Sequence, residues 1–313
     1  MIASSYKYIF GPVPSRRLGR SLGIDLIPFK TCSFDCIYCQ IGRTTLKTID
    51  RAEYAPIDAV LSELERKIKE KPKIDFLTFS GSGEPTLHSG LGKIIKAVKK
   101  DFKLPIAVIT NGSLLFREDV QKDLLAADVV LPTLSTHDPK FFKKIHRPAP
   151  ELSLPKIIEG MIDFRKKYRG QIWLEFFVVR GINDRERHAI TFKSVLSRIN
   201  PDKIQINTSV RIPSEEYSLT ALEPPLKRLK NILGDSAELI AEFKGDESQG
   251  GSKVSSENIL NYLKRRPGTL EDIASGLDVR VGAVRRVIDR LQEQGKISSR
   301  KWRDRDVYCI TKE

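Results

Sequence analysis

The chain of 313 residues is short of cysteine, histidine, methionine and tryptophan, with four, four, two and two. Four cysteines are too few for the disulfide framework of a small secreted scaffold. No apolar run approaches the ~18 residues of a membrane-crossing helix. The opening Met1-Ile2-Ala3-Ser4-Ser5 lacks the basic segment and apolar stretch of a secretory leader, so a cytosolic location is expected. Acidic residues are outnumbered by basic ones. Asp and Glu total 40 against 54 Lys and Arg, a net charge of +14 that favours a polyanionic partner. What is present, 40% apolar and 30% charged residues, is the make-up of a soluble globular chain long enough for one or two domains.

The composition shifts once. Residues 243–256 read Phe-Lys-Gly-Asp-Glu-Ser-Gln-Gly-Gly-Ser-Lys-Val-Ser-Ser, with almost nothing to bury. The expected organisation is a domain over 1–242, a linker over 243–254 and a second domain over 255–313. In the first, short apolar runs alternate with helical patterns. Strands are expected at Leu22–Ile27, Ile74–Phe79, Ile106–Ile109, Val129–Leu134, Trp173–Val179 and Lys203–Asn207. Ile57, Val60, Leu61, Leu64 and Ile68 mark one helix face, and Leu91, Ile94, Ile95 and Val98 another. About six such units predict an α/β fold with a parallel sheet, open or barrel-like, and chemistry at the carboxyl ends of its strands.

Three of the four cysteines stand within eight residues, as Cys32-Ser33-Phe34-Asp35-Cys36-Ile37-Tyr38-Cys39. Three thiols in a C-x3-C-x2-C loop can reach one centre, and soft thiolates select zinc or iron–sulfur. A structural zinc wants four closed ligands, and no histidine is near in sequence. A cubane takes one ligand per iron, so three cysteines leave one iron open. After the second strand comes Ser80-Gly81-Ser82-Gly83-Glu84-Pro85, small residues that admit a ligand close to the backbone, and an acid for a cationic group. Thr110-Asn111-Gly112, Leu134-Ser135-Thr136-His137 and Arg180-Gly181-Ile182-Asn183 follow later strands on the same edge. Each could equally be turn chemistry or a helix cap.

The C-x3-C-x2-C spacing with an aromatic before the last cysteine, together with Gly-Ser-Gly-Glu-Pro, resembles the radical S-adenosylmethionine (SAM) superfamily over residues ~10–240. Gly11-Pro12-Val13-Pro14-Ser15-Arg16-Arg17-Leu18-Gly19 and Ile145-His146-Arg147-Pro148 resemble its wyosine-type iron–sulfur oxidoreductases. The resemblance implies a partial (β/α)6 barrel. It also implies a [4Fe-4S] cluster on Cys32, Cys36 and Cys39, and SAM on the open iron. Ser82, Gly83 and Glu84 would hold its methionine amino end, and Thr133 and Ser135 its ribose or carboxylate. Asn111 and Asn207 would line the site, with Tyr38 against adenine. Reductive cleavage of SAM by an electron donor would then give a 5′-deoxyadenosyl radical that takes hydrogen from a substrate. Wyosine base synthases carry a second cysteine-bound cluster, for which this chain lacks the cysteines. No residue need be a general base, and His137, His146 and His188 are more simply read as structural.

Beyond the linker, Ile259, Leu260 and Leu263 mark one helix. Thr269-Leu270-Glu271-Asp272 opens a second with a capping-box pattern, and Val281, Val284, Val287, Ile288 and Leu291 mark a third. Two short strands at 295–297 and 306–310, joined by a basic turn, complete a pattern that resembles a winged helix-turn-helix, a small α+β domain. Arg285, Arg286, Arg290, Arg300, Lys301 and Arg303 would then meet nucleic acid. Only +4 of the net charge lies in residues 254–313, so both parts could share one polyanion. Three functions fit: a radical SAM enzyme acting on RNA, with tRNA foremost; the same chemistry on a small molecule or protein, with the winged helix as a docking module; or a DNA-binding regulator that senses SAM or the cluster.

Overall fold

The structure, a computed structural model, describes residues 6–240, 254–265, 267–277, 279–302 and 305–311. The expected linker therefore lies, except for Val254, outside the described residues. An eight-stranded sheet is built from β1 (Ile9–Ser15), β2 (Gly19–Ile24), β5 (Phe76–Phe79), β6 (Ile106–Thr110), β7 (Val129–Pro132), β8 (Gln171–Val178), β9 (Lys203–Thr208) and β10 (Ala237–Leu239), in that spatial order. The β1–β2 pair is antiparallel and every later pair is parallel. Among the described residues β1 and β10 do not pair, so the barrel stays open on one side. Two further short strands, β3 (Thr31–Cys32) and β4 (Leu46–Lys47), pair with each other and close the neck of the cysteine loop.

Helices α1 (Ile57–Lys69), α2 (Leu91–Asp101), α3 (Glu118–Leu124), α4 (Pro139–His146), α5 (Leu154–Lys167), α6 (Glu186–Ile199) and α7 (Glu223–Leu233) lie in the connections between strands. Their apolar residues recur every three or four positions. Val60, Leu64, Ile94, Ile95, Val98, Phe192 and Leu196 are buried against Leu22, Ile24, Leu77, Val108, Val130, Leu174 and Phe176 of the sheet. The other face of the strands looks into the barrel. There Leu18, from the β1–β2 turn, packs with Ala107, Val129, Leu131 and Trp173 and plugs one end. That plug leaves the polar carboxyl ends of the strands as the open mouth.

The six expected strands all form. β1, β3, β4, β10 and α4 are additional. β1 contains Pro12 and Pro14, which cannot donate to a ladder and so read as non-strand; at a sheet edge they are tolerated. α4 has only eight residues, but Asp138 caps it by accepting from the N–H groups of Lys140 and Phe141, with Pro139 in its first turn.

The C-terminal segment has its own apolar cluster. Ile259, Tyr262, Leu263, Ile273, Val284, Ile288, Leu291 and Tyr308 gather among α8 (Ser256–Arg265), α9 (Leu270–Leu277), α10 (Val281–Glu293) and the antiparallel pair β11 (Ile297–Trp302) and β12 (Arg305–Ile310). The pair is longer than expected, so Arg300 and Lys301 sit within β11 rather than in the turn, and Arg303 lies outside the described residues. The capping box forms as read: Asp272 N–H donates to Thr269 Oγ1, and Thr269 N–H donates to Asp272 Oδ2. The other Asp272 oxygen pairs with Arg211 of the barrel at 3.0 Å, and α9 packs along β1 at the barrel's open side.

Candidate active site

Cys32, Cys36 and Cys39 occupy the loop after β2, each half-buried. The loop is clamped from several directions. Asp35 N–H donates to the His146 carbonyl and Ile37 N–H to that of Ile145. Arg147, just past α4, donates to the Asp35 carbonyl at 2.6 Å and pairs with the Asp35 and Glu215 carboxylates at 3.1 and 2.7 Å. Ser214 Oγ donates to the carbonyls of Cys36 and Ile37. The Ile145-His146-Arg147 motif is thus the clamp of the cysteine loop. Arg211 also donates to Gln40, next to Cys39, at 3.3 Å, so one guanidinium joins the loop to α9.

The turn after β5 packs directly on this loop. A Cβ on Gly83 would stand 2.1 Å from the Thr31 carbonyl oxygen, so only glycine permits the approach. Asp25 fixes Ser82 by accepting from its N–H at 3.0 Å and its hydroxyl at 2.6 Å. Glu84 is buried, and its carboxylate braces two loops. Oε1 accepts from Thr86 N–H, Thr86 Oγ1 and Thr110 Oγ1, and Oε2 from Asn111 N–H at 2.7 Å. Burial raises its pKa above the ordinary carboxylate value against the pull of those hydrogen bonds. With one donor, Oε2 is the oxygen that keeps capacity for a cationic ligand group. Asn111 Nδ2 in turn reaches Ser33 Oγ at 2.8 Å.

Deeper in the barrel, Thr133 and Asn207 meet on a residue that sequence reasoning missed. Glu175, on β8, accepts from Thr133 Oγ1 and Asn207 Nδ2, both at 2.9 Å, and pairs with Arg17 at 3.0 Å. The Ser135 hydroxyl is buried with no hydrogen-bond partner among the described residues. Tyr38 stacks on Phe177 with ring centroids 3.7 Å apart, which commits one ring face to protein. His137 and His188 stack on each other at 4.8 Å in an aromatic layer with Phe176 and Phe192, away from the cysteines. His146, remote in sequence, places Nδ1 3.3 Å from Cys36 Sγ.

The donor set fits a polynuclear iron–sulfur group. Burial, then the Glu84 carboxylate, pushes the Cys32 thiol up to about 12; burial, then the neighbouring thiols, raises Cys36. Thiols so placed exchange their protons only for a cation that supplies compensating charge. Among the described residues no three His, Cys, Asp or Glu side chains converge on a single-ion position. Three thiols on one loop suit a cubane that leaves one iron without a protein ligand better than a closed four-ligand zinc site.

In the C-terminal segment Arg285, Arg286 and Arg290 lie on the exposed face of α10, opposite Val284, Val287, Ile288 and Leu291. Arg300 is exposed on β11, and Lys301 pairs with Asp306 at 3.0 Å.

Comparison with known proteins fits this architecture. The family model described as the Radical SAM superfamily matches residues 26–192. A UPF0026 protein of Methanocaldococcus jannaschii is 39% identical over 92% of this chain and 91% of its own length. A Brachyspira hyodysenteriae protein named GTPase Obg is 37% identical over 93% of this chain, which spans only 43% of that relative. A dual-specificity RNA methyltransferase of Buchnera aphidicola is 27% identical over 56% of this chain and half of its own length. A radical SAM methyltransferase structure from Sphaerobacter thermophilus superposes with a TM-score of 0.54 at 14% identity, covering 70% of this chain and 65% of that one. These matches establish an enzyme fold whose family uses a [4Fe-4S] cluster and SAM, and the chain belongs to the Radical SAM superfamily.

Proposed function

We propose that Cys32, Cys36 and Cys39 hold a [4Fe-4S] cluster, that SAM binds beside it, and that the substrate is an RNA. The observation that carries the reading is the packing of the Ser82-Gly83-Glu84 turn onto the cysteine loop at the mouth of an open parallel barrel. The chemistry such a pair supplies is one-electron reductive cleavage of SAM to methionine and a 5′-deoxyadenosyl radical, which takes hydrogen from the substrate.

The protein's own part is to bind, orient and keep water out. Ser82, fixed by Asp25, and Glu84 Oε2 offer acceptors to the methionine ammonium. Asn111, Ser135 and the Thr133–Glu175–Asn207 set offer partners for polar groups of the nucleoside and the carboxylate. Tyr38, stacked on Phe177, gives a flat apolar edge for adenine.

The case for RNA rests on charge and attachment. We take 1–242 and 255–313 as two domains, the second a winged helix whose α10 presents Arg285, Arg286 and Arg290 to phosphates, with Arg300 and Lys301 of β11 as further cations and Arg303, outside the described residues, proposed from the sequence alone. Arg211 ties that domain to the loop bearing Cys39, so nucleic acid on α10 lies on a body joined to the reaction site. The excess of positive charge over the barrel as well and the likeness to an RNA methyltransferase point the same way. The likeness to wyosine-type enzymes, carried by the Gly11–Gly19 and Ile145–Pro148 motifs, makes tRNA the first RNA to try.

The test is anaerobic. The reconstituted chain receives reductant and SAM, and 5′-deoxyadenosine is quantified with and without total RNA. Stimulation severalfold by RNA is expected. Slow cleavage indifferent to RNA would reject RNA as substrate and make the winged helix a protein-docking or DNA-targeting module.

A further inference from the structure

Each of the three cysteine sulfurs has a side-chain nitrogen within hydrogen-bond reach; that of His146, which also lies 3.5 Å from Tyr38 Oη, donates in the Nδ1–H tautomer. Lys30 Nζ is 3.1 Å from Cys39 Sγ, His146 Nδ1 is 3.3 Å from Cys36 Sγ, and Asn111 Nδ2 is 3.5 Å from Cys32 Sγ. The three come from separate segments, and each is held in place by other contacts. Lys30 adopts φ +59°, donates its N–H to the Ser82 carbonyl and accepts at its own carbonyl from Thr45 and Leu46. His146, only 1% exposed, is packed by the rings of Phe34 and Phe142. Asn111 is fixed by its N–H on Glu84 and by Ser113 N–H on its own Oδ1.

Lys30 is the most telling of the three. It is 3% exposed, and among the described residues no carboxylate stands within ion-pair distance of its ammonium. A buried ammonium needs an anion. The group it addresses is a cysteine sulfur.

We propose that Lys30, His146 and Asn111 are positioning residues that set the reduction potential of the cluster, one donor to each thiolate, with Lys30 dominant. The inference rests on the reading that the three cysteines hold that cluster. Reduction transfers one electron from a low-potential one-electron donor to a group already anionic through its thiolates, with no bond made or broken and no proton moved. An ammonium and N–H dipoles aimed at the sulfurs favour the more negative, reduced form and so raise the potential.

The experiment is a dithionite titration of the reconstituted full chain without SAM, followed by electron paramagnetic resonance, beside iron and sulfide analysis. At the wild-type midpoint, Lys30→Met is expected to lower the reduced-to-oxidised ratio at least tenfold, equivalent to about 59 mV for one electron. Lys30→Arg should restore most of it, and His146→Phe should move the ratio less, in the same direction. Should Lys30→Met fail to retain iron, Lys30→Gln and His146→Phe carry the same reading. A fully loaded Lys30→Met protein with an unchanged midpoint would overturn the proposal, and weakened SAM binding by that variant, read separately by calorimetry, would assign the ammonium to the cofactor's carboxylate. A wild-type chain with no reducible cluster signal would reject the cluster reading itself.

Discussion

Glu175 marks how far single residues could be read. Cysteines at C-x3-C-x2-C spacing carry their chemistry in the local sequence, and the structure places all three on one clamped loop. Glu175 gives no such sign, because its partners Arg17, Thr133 and Asn207 come from three other segments and meet it only inside the barrel. The same holds for Lys30 and Arg147, ordinary basic residues until folding brings them to the cysteine loop. Histidine shows both outcomes. His146 meets Cys36, while His137 and His188 serve the aromatic packing under the mouth. Burial, then the neighbouring His137, lowers His188 to about 4 from an ordinary 6.5. A base with a depressed folded value is protonated first in the unfolded chain. Its stabilisation is complete above about pH 6.5 and is lost as pH falls towards 4. The unfolding free energy of wild type should therefore fall across that window by about 1–3 kcal/mol, the shift discounted for partial solvation. His188→Phe should flatten the pH dependence in denaturant titrations; an unchanged slope would assign the acid sensitivity elsewhere.

Elements were legible where apolar periodicity and length agreed. β6 and β7 are nearly continuous apolar runs, β2 and β9 alternate apolar with polar or small residues, and the long helices show three-to-four spacing. β1 was hidden by its prolines, and α4 by its shortness. Both matter for function: the β1–β2 turn plugs the barrel, and the end of α4 supplies the clamp. The ion pair of Arg147 with Glu215 and Asp35 joins α4 and the loop after β9 to the cysteine loop at 2.7 and 3.1 Å. Arg147→Ala leaves the buried Glu215 carboxylate, among the described residues, with the exposed Arg43 as its remaining charged partner. It should cost about 1.5–3 kcal/mol, read as a lower thermal midpoint, and slow cluster uptake. An unchanged midpoint would show that the clamp is dispensable.

Among the described residues, the basic helix-rich segment meets the open barrel where α9 packs along β1 and where Arg211, paired with Asp272, also reaches Gln40 beside the cysteine loop. Neither Arg211 nor its partner Asp272 stood out in the sequence: a lone arginine far from the segment it holds carries no local signal, and Asp272 read only as a cap. Charge was legible, because α10 is amphipathic and its arginines fall on the outer face. Reversing Arg285 and Arg286 to Glu should weaken RNA binding at least tenfold and reduce the slope of its salt dependence, since each phosphate contact releases counterions. An unchanged affinity would reassign α10 to protein docking. The chemistry proposed for this molecule depends on the iron–sulfur group that Cys32, Cys36 and Cys39 would hold. The direct measurement is Mössbauer spectroscopy with iron and sulfide analysis of the anaerobically reconstituted chain, beside Cys36→Ala. Four irons and four sulfides per wild-type chain are predicted, with one iron whose parameters change on adding SAM and the signal absent from a Cys36→Ala protein of unchanged circular dichroism. A full iron complement in Cys36→Ala, or wild-type spectra indifferent to SAM, would contradict the account.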